Sequence, residues 1–239
     1  YLDFANNFTG VLKKISTKPV LALGQPNNGP LLELATLKEY AKKVNPSIIL
    51  WMYYEGNDLI EIIDEKKSIT LNKYFSENYS QNLINKQSLI DRSYSKFVEE
   101  KISKLDQKNN LENDQSDTSV LSVIKLQKIR RILFTKLFDK IRDRENTKST
   151  QILSDVLVEA KRETDLLESK LYFVYLPSAS RFLDGNKNVL KENDYFRKEV
   201  IDIVDELDIG FIDIYEELFK YHENPLSFYH FSMYSHYNK

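Results

Sequence analysis

The 239 residues include no cysteine, so a disulfide framework, a thiolate metal site and a cysteine nucleophile are all excluded. Histidine is scarce: His222, His230 and His236 are the only three, all near the C-terminal end, which argues against a multi-histidine metal centre. Long apolar runs are missing as well. The longest, Ile48 to Tyr54, falls far short of the ~20 residues of a membrane helix, and the residues from Tyr1 onward form no signal-peptide pattern. Neither sign of charge is in excess. Lys and Arg number 34 against 36 Asp and Glu, which removes the global basic field expected of a nucleic-acid binder. What remains, 41% hydrophobic and 29% charged residues, suits one large globular domain or two small ones and excludes disorder and fibrous repeats.

The apolar residues Ala5, Phe8, Leu12 and Ile15 fall at helical spacing and predict an amphipathic helix at the start of the chain. Pro19 to Leu23 reads as a short buried strand ended by Gly24. After the turn cluster Gln25-Pro-Asn-Asn-Gly-Pro30, a helix with Leu34, Leu37, Ala41 and Val44 on its apolar face runs to Asn45-Pro46. Ser47 to Tyr53 is a continuously apolar strand, as expected where both faces are covered. Strand, helix and strand at this spacing predict a βαβ unit and a parallel sheet. The pattern resumes with a strand over Lys170 to Leu176, a helix presenting Phe196, Val200, Ile203, Val204 and Leu207, and a strand over Gly210 to Ile214. The expected organisation is thus residues 1–58 and 170–239 as two parts of one α/β domain. Residues 59–169 form a mainly helical insertion, a candidate lid with a polar break at Asp106 to Asp117.

Ligand sites of open parallel sheets lie beyond the carboxyl ends of the strands, which directs attention to Gly24 to Gly29, Glu55 to Asp58 and Pro177 to Arg181. A carboxamide such as that of Asn57 and a backbone N–H such as that of Gly24 are the two ingredients of an oxyanion hole, although each is also an ordinary turn residue. Ser178 and Ser180 lack the flanking glycines of a nucleophile elbow and read as loop or cap hydroxyls. Asn28, Glu55, Asp58 and Arg181 are the candidate substrate contacts around these ends, Arg181 as an anion contact.

In order along the chain, these blocks resemble those of the SGNH (GDSL-like) hydrolase family. The stretch from Leu23 to Leu34 resembles its glycine block and implies Gly24 as second oxyanion donor; Tyr54-Glu-Gly-Asn-Asp58 resembles its Gly-x-Asn-Asp block and implies Asn57 as the oxyanion side chain. Glu55 stands where that block begins with Gly. Ser235-His-Tyr-Asn238 resembles the histidine block, implying His236 as general base, with His230 a rival in an aromatic setting and His222 a helix-end residue. The resemblance implies a three-layer, flavodoxin-like parallel α/β fold. It also implies acyl-ester hydrolysis or transfer through a serine acyl-enzyme, on a small-molecule or glycan ester, with no metal or organic cofactor. It favours an extracytoplasmic or cell-envelope setting.

Two departures stand out. No Ser occupies the position of the family's Gly-Asp-Ser block, which leads to the expectation of a fragment whose front carries the nucleophile and a first strand. Met233 stands where the family's triad Asp precedes the His, leaving a Ser-His dyad or an acid from elsewhere. The alternative is a non-catalytic relative that binds a glycan or polymer. Val120 to Arg144 carries eight Lys and Arg against two Asp with apolar residues at helical spacing, a basic amphipathic helix that suits either a lid or an anionic membrane surface.

Overall fold

The computed structural model describes residues 7–16, 18–25, 28–112, 148–183, 187–229 and 237, with side-chain surroundings for all of these except 104–112, 187 and 188. The basic stretch from Val120 to Arg144, Ala5, His230, Met233 and His236 lie outside the described residues. The chain divides into two compact units, residues 1–79 with 148–239 and residues 80–147. The first holds a parallel three-stranded sheet in the order β1 (Ile48–Tyr54), β2 (Lys170–Leu176), β3 (Gly210–Asp213), with Trp51 opposite Phe173 and Phe173 opposite Phe211. Helices account for most of the rest, so the class is α/β.

Around this sheet the helices form where the sequence supplies their ends. Asn7 caps α1 (Phe8–Ile15), its Oδ1 accepting from Gly10 N at 2.8 Å. Pro30 begins α2 (Pro30–Val44), where its missing N–H costs nothing, and Asn45 ends it in the left-handed region at φ 47°. After β1 come α3 (Asp58–Glu65) and the short α4 (Ile69–Asn72). In the second unit a 3-10 turn over Leu83–Lys86 leads into α5 (Gln87–Glu112). In the first unit α6 spans 148–166 before β2, and α7 (Lys187–Glu206) precedes β3. The core is continuous: Trp51, Tyr53, Phe173 and Tyr175 of the sheet pack with Leu31, Leu34 and Leu37 of α2, Ile62 of α3, Leu153, Val156 and Leu157 of α6, and Val200 and Val204 of α7.

Three expectations are corrected here. Residues 19–23 form no strand: they pair with nothing in the sheet, and Leu21 is 59% exposed. A five-residue apolar run becomes a strand only when it pairs in a ladder, and residues 19–23 pair with none of the described strands. β1 is not covered on both faces. Trp51 and Tyr53 are buried, whereas Leu50, Met52 and Tyr54 on the opposite face are half-buried. Among the described residues it is also an edge strand. Lys170 N donates to Ser47 O and Glu55 N to Leu176 O, so odd-numbered residues bond to β2 and Ile48, Leu50 and Met52 turn their backbone groups to the other side. Finally, residues 59–79 and 148–169 belong to the α/β unit and not to the insertion, because Ile62, Leu153 and Val156 are part of its core.

Within the first unit, the segment after α4 is tied to α2 and α6 by a buried charge. Lys38 Nζ donates to Tyr74 O and Ser76 O at 2.8 Å each and lies 3.5 Å from both Glu159 and Glu163. Beside it the Tyr74 hydroxyl donates to Glu39 at 2.7 Å.

Candidate functional site

The carboxyl ends of β1 and β2 carry a dense polar network. From the turn after β1, the Glu55 carboxylate accepts from the Tyr175 hydroxyl at 2.5 Å, Ser178 N at 2.8 Å and Arg181 Nε at 3.2 Å, and pairs with the Arg181 guanidinium terminus. Both side chains are almost wholly buried, Arg181 at 1% and Glu55 at 4% exposure. Arg181 also reaches Asp194 at 2.5 Å and lies over the Tyr215 ring. Burial opposes its charge, but the hydrogen bond and charge of Glu55 and the hydrogen bond of Asp194 more than offset it, so the guanidinium is held above its ordinary value. Burial, then the neighbouring Glu55, raises the Tyr175 phenol in turn. Both members of this pair, read from the sequence as candidate substrate contacts, are thus occupied by groups of the chain itself.

Ser178 and Ser180 are occupied likewise. Ser178 Oγ accepts from Ser180 N at 3.3 Å and shares a 3.0 Å hydrogen bond with Ser180 Oγ, as cap hydroxyls do. At the end of β3, Asp213 pairs with Arg197 and accepts from Tyr215 N at 3.0 Å, ordering the start of a π-helical turn over Tyr215–Phe219.

Asn57 stands half-buried at the N-cap of α3, yet its side chain caps nothing. An Asn here ordinarily accepts from an N–H of the first turn, a bond worth about 1 kcal/mol. Instead its Nδ2 donates to Glu61 Oε1 at 2.6 Å. Asp58 is buried and its Oδ2 accepts from Tyr54 N at 2.8 Å, satisfying one of the backbone groups that β1 leaves off the ladder. Two turns further on, Glu65 reaches across to α2 and accepts from Gly29 N at 2.8 Å, Leu31 N at 2.9 Å and Leu32 N at 3.4 Å. It does for α2 what no local side chain does, since negative charge suits a helix N-terminus. Gly29 is required for this approach: a Cβ there would stand 2.8 Å from Glu61 Cβ and from Glu65 Oε2.

Four carboxyl groups, those of Glu33, Asp58, Glu61 and Glu65, therefore share one region. Glu33 is half-buried as a residue, but its Oε2 is closed off from solvent and has no hydrogen-bond partner among the described residues. Burial first, then the charges of Asp58, Glu65 and Glu61, hold its carboxyl well above the usual range. Asp58 is raised by burial and by Glu61 and Glu65, against the opposing pull of the Tyr54 N–H; Glu65 is raised by burial despite its three N–H donors.

Gly24 lies on the exposed stretch before α2, and no atom of the described residues comes within 4 Å of where a Cβ would stand. Asn28 is half-buried, its N–H bonded to Gln25 O at 3.2 Å. The histidine-bearing segment is described only at its ends. Tyr229 and Tyr237 form an isolated antiparallel bridge; the Tyr229 hydroxyl donates to Pro177 O at 2.7 Å, and Tyr237 donates to the same carbonyl. The Tyr237 ring meets that of Tyr54 edge-on at 6.1 Å. His222 is exposed, accepts from Asn224 N at 3.1 Å and packs against Phe228.

Sequence reasoning singled out Asn57 and its neighbours but passed over Glu61, Glu65 and Asp213. The signal for Glu61 was there, four residues after Asn57 on the same helix face. Among the described residues no group of three or more His, Asp or Glu is arranged to hold a metal ion, and no helix is long and apolar enough to cross a membrane. No protein-family model matches the chain, nor does any curated protein or solved structure.

Proposed function

We propose that the chain is the flavodoxin-like α/β core of an SGNH-type serine ester hydrolase or acyltransferase. What supports the reading most is a convergence at one sheet end: Asn57 follows β1 directly, and Tyr237, next in sequence to His236, packs on Tyr54 and bonds Pro177 beyond β2. In the proposed reaction a serine attacks the carbonyl of a small-molecule or glycan ester. His236 takes the hydroxyl proton and returns it to the leaving alcohol, while Asn57 Nδ2 and the Gly24 N–H donate to the tetrahedral oxyanion. The serine is none of the described strand-end hydroxyls, since Ser178 and Ser180 are tied to each other. The basic stretch from Val120 to Arg144 would then serve as lid or as contact with an anionic surface.

The test is turnover of a short p-nitrophenyl ester by the intact protein, with Asn57→Ala expected to lower kcat by ~10² to 10³ without unfolding it. Wild-type turnover in that variant would sink the reading. Fluorophosphonate should label a single Ser, and His236→Ala should strongly reduce the labelling. The alternative is a non-catalytic binder of the same fold, which would take no label.

A further inference from the structure

The carboxamide of Asn57 is set by one neighbour. It holds the N-cap position of α3 but accepts no first-turn N–H, and its Nδ2 donates to Glu61 Oε1 at 2.6 Å. A carboxylate can only accept, so this bond fixes which end of the carboxamide is nitrogen and commits one of its two protons, leaving the second to be aimed elsewhere. Glu61 is itself constrained. Its Cβ lies 2.8 Å from where a Cβ on Gly29 would stand, so the side chain is packed against the start of α2. Its second oxygen, Oε2, is buried without a hydrogen-bond partner, and Asn57 is the one donor to this carboxylate among the described residues. A buried carboxylate with a single donor holds that donor firmly.

We infer that Glu61 is a positioning residue that holds the Asn57 carboxamide so that its second Nδ2 proton serves as the oxyanion donor. The inference rests on the ester-hydrolase reading. It does not require Glu61 to touch substrate. The carboxylate also puts negative charge behind a site where negative charge develops, so its service is orientation, and a neutral acceptor of the same shape should do as well.

The experiment compares Glu61→Leu, Glu61→Gln and Asn57→Ala in the intact protein on a short p-nitrophenyl ester, with thermal melting as a check on folding. Glu61→Leu should lower kcat about 10- to 100-fold, the scale of a misplaced catalytic group, with KM little changed. Glu61→Gln keeps the acceptor and should restore kcat to the wild-type level or above. In the Asn57→Ala background Glu61→Leu should cost nothing further, because what it positions is gone. Wild-type kcat in Glu61→Leu alongside a large loss in Asn57→Ala would overturn this inference and leave the reading standing, as would a Glu61→Gln no better than Glu61→Leu. Wild-type turnover in Asn57→Ala would overturn both. The wild-type protein gives an independent answer by NMR: the Asn57 side-chain amide should show one downfield, slowly exchanging proton, and two fast-exchanging protons at ordinary shifts would overturn the inference whatever the variants do.

Discussion

Buried charges at the strand ends are satisfied in pairs, and a pair is most costly when halved. Replacing Arg181 by Met leaves the Glu55 carboxylate buried at 4% exposure with only the Tyr175 and Ser178 donors. Chemical denaturation of Arg181→Met should show a loss of ~3 to 5 kcal/mol, and the double variant Arg181→Met, Glu55→Gln should recover part of it. A loss under ~1 kcal/mol, the range of exposed pairs, would mean that water reaches the site. The sequence made Glu55, Asp58 and Arg181 visible as polar residues at strand ends, but not what they touch. Glu55 and Arg181 are separated by 126 positions and Glu65 and Gly29 by 36, so their pairing depends on strands and helices being in place first. Asn57 with Glu61 was within reach of local reasoning, being four residues apart on one helix.

Elements with both a local signal and a neighbour are those the sequence made legible. The edges of α2 followed from Pro30 and Asn45, and β1, β2 and β3 from apolar runs that find one another in register. Pro19 to Leu23 had the composition of a strand without the ladder, and α1 had an amphipathic stripe without a cover, Phe8 and Ile15 being 56% and 76% exposed. Strand propensity expresses packing against neighbours more than any preference of the backbone alone. The open side of β1 has a measurable consequence. In native-state hydrogen exchange, the amides of Ile48, Leu50 and Met52 should exchange far faster than those of Trp51 and Tyr53, which donate into the ladder with β2. Equal protection would contradict the open edge and require a further strand against β1.

At the scale of the whole molecule the carboxyl cluster beside α2 makes stability respond to acid in an unusual direction. Glu33, Asp58 and Glu65 are all raised in the folded state, chiefly by burial. A raised carboxyl contributes stability that is fully present below the unfolded range near pH ~4 and is lost as pH rises through the folded value. Mild acidification from neutrality should therefore raise the melting temperature, and Glu33→Gln should raise it at neutral pH while flattening the dependence. A Tm unchanged by Glu33→Gln, with the same slope, would contradict the cluster's role. The Lys38 clamp has a consequence of another kind. The ammonium gathers Tyr74 and Ser76, which precede residue 80, with Glu159 and Glu163, which follow residue 147. The segment that leads out of the α/β unit at residue 79 is therefore tied to α2 and to the middle of α6, inside that unit. Residues 80–147 should be excisable: with a flexible Gly-Ser linker of about 15 residues in their place, the remainder should unfold cooperatively at an unchanged denaturant midpoint, with a slope reduced by the surface removed. In a Lys38→Met host the same excision should lower the midpoint, because Tyr74 O and Ser76 O and the Glu159 and Glu163 carboxylates would have lost the ammonium they share.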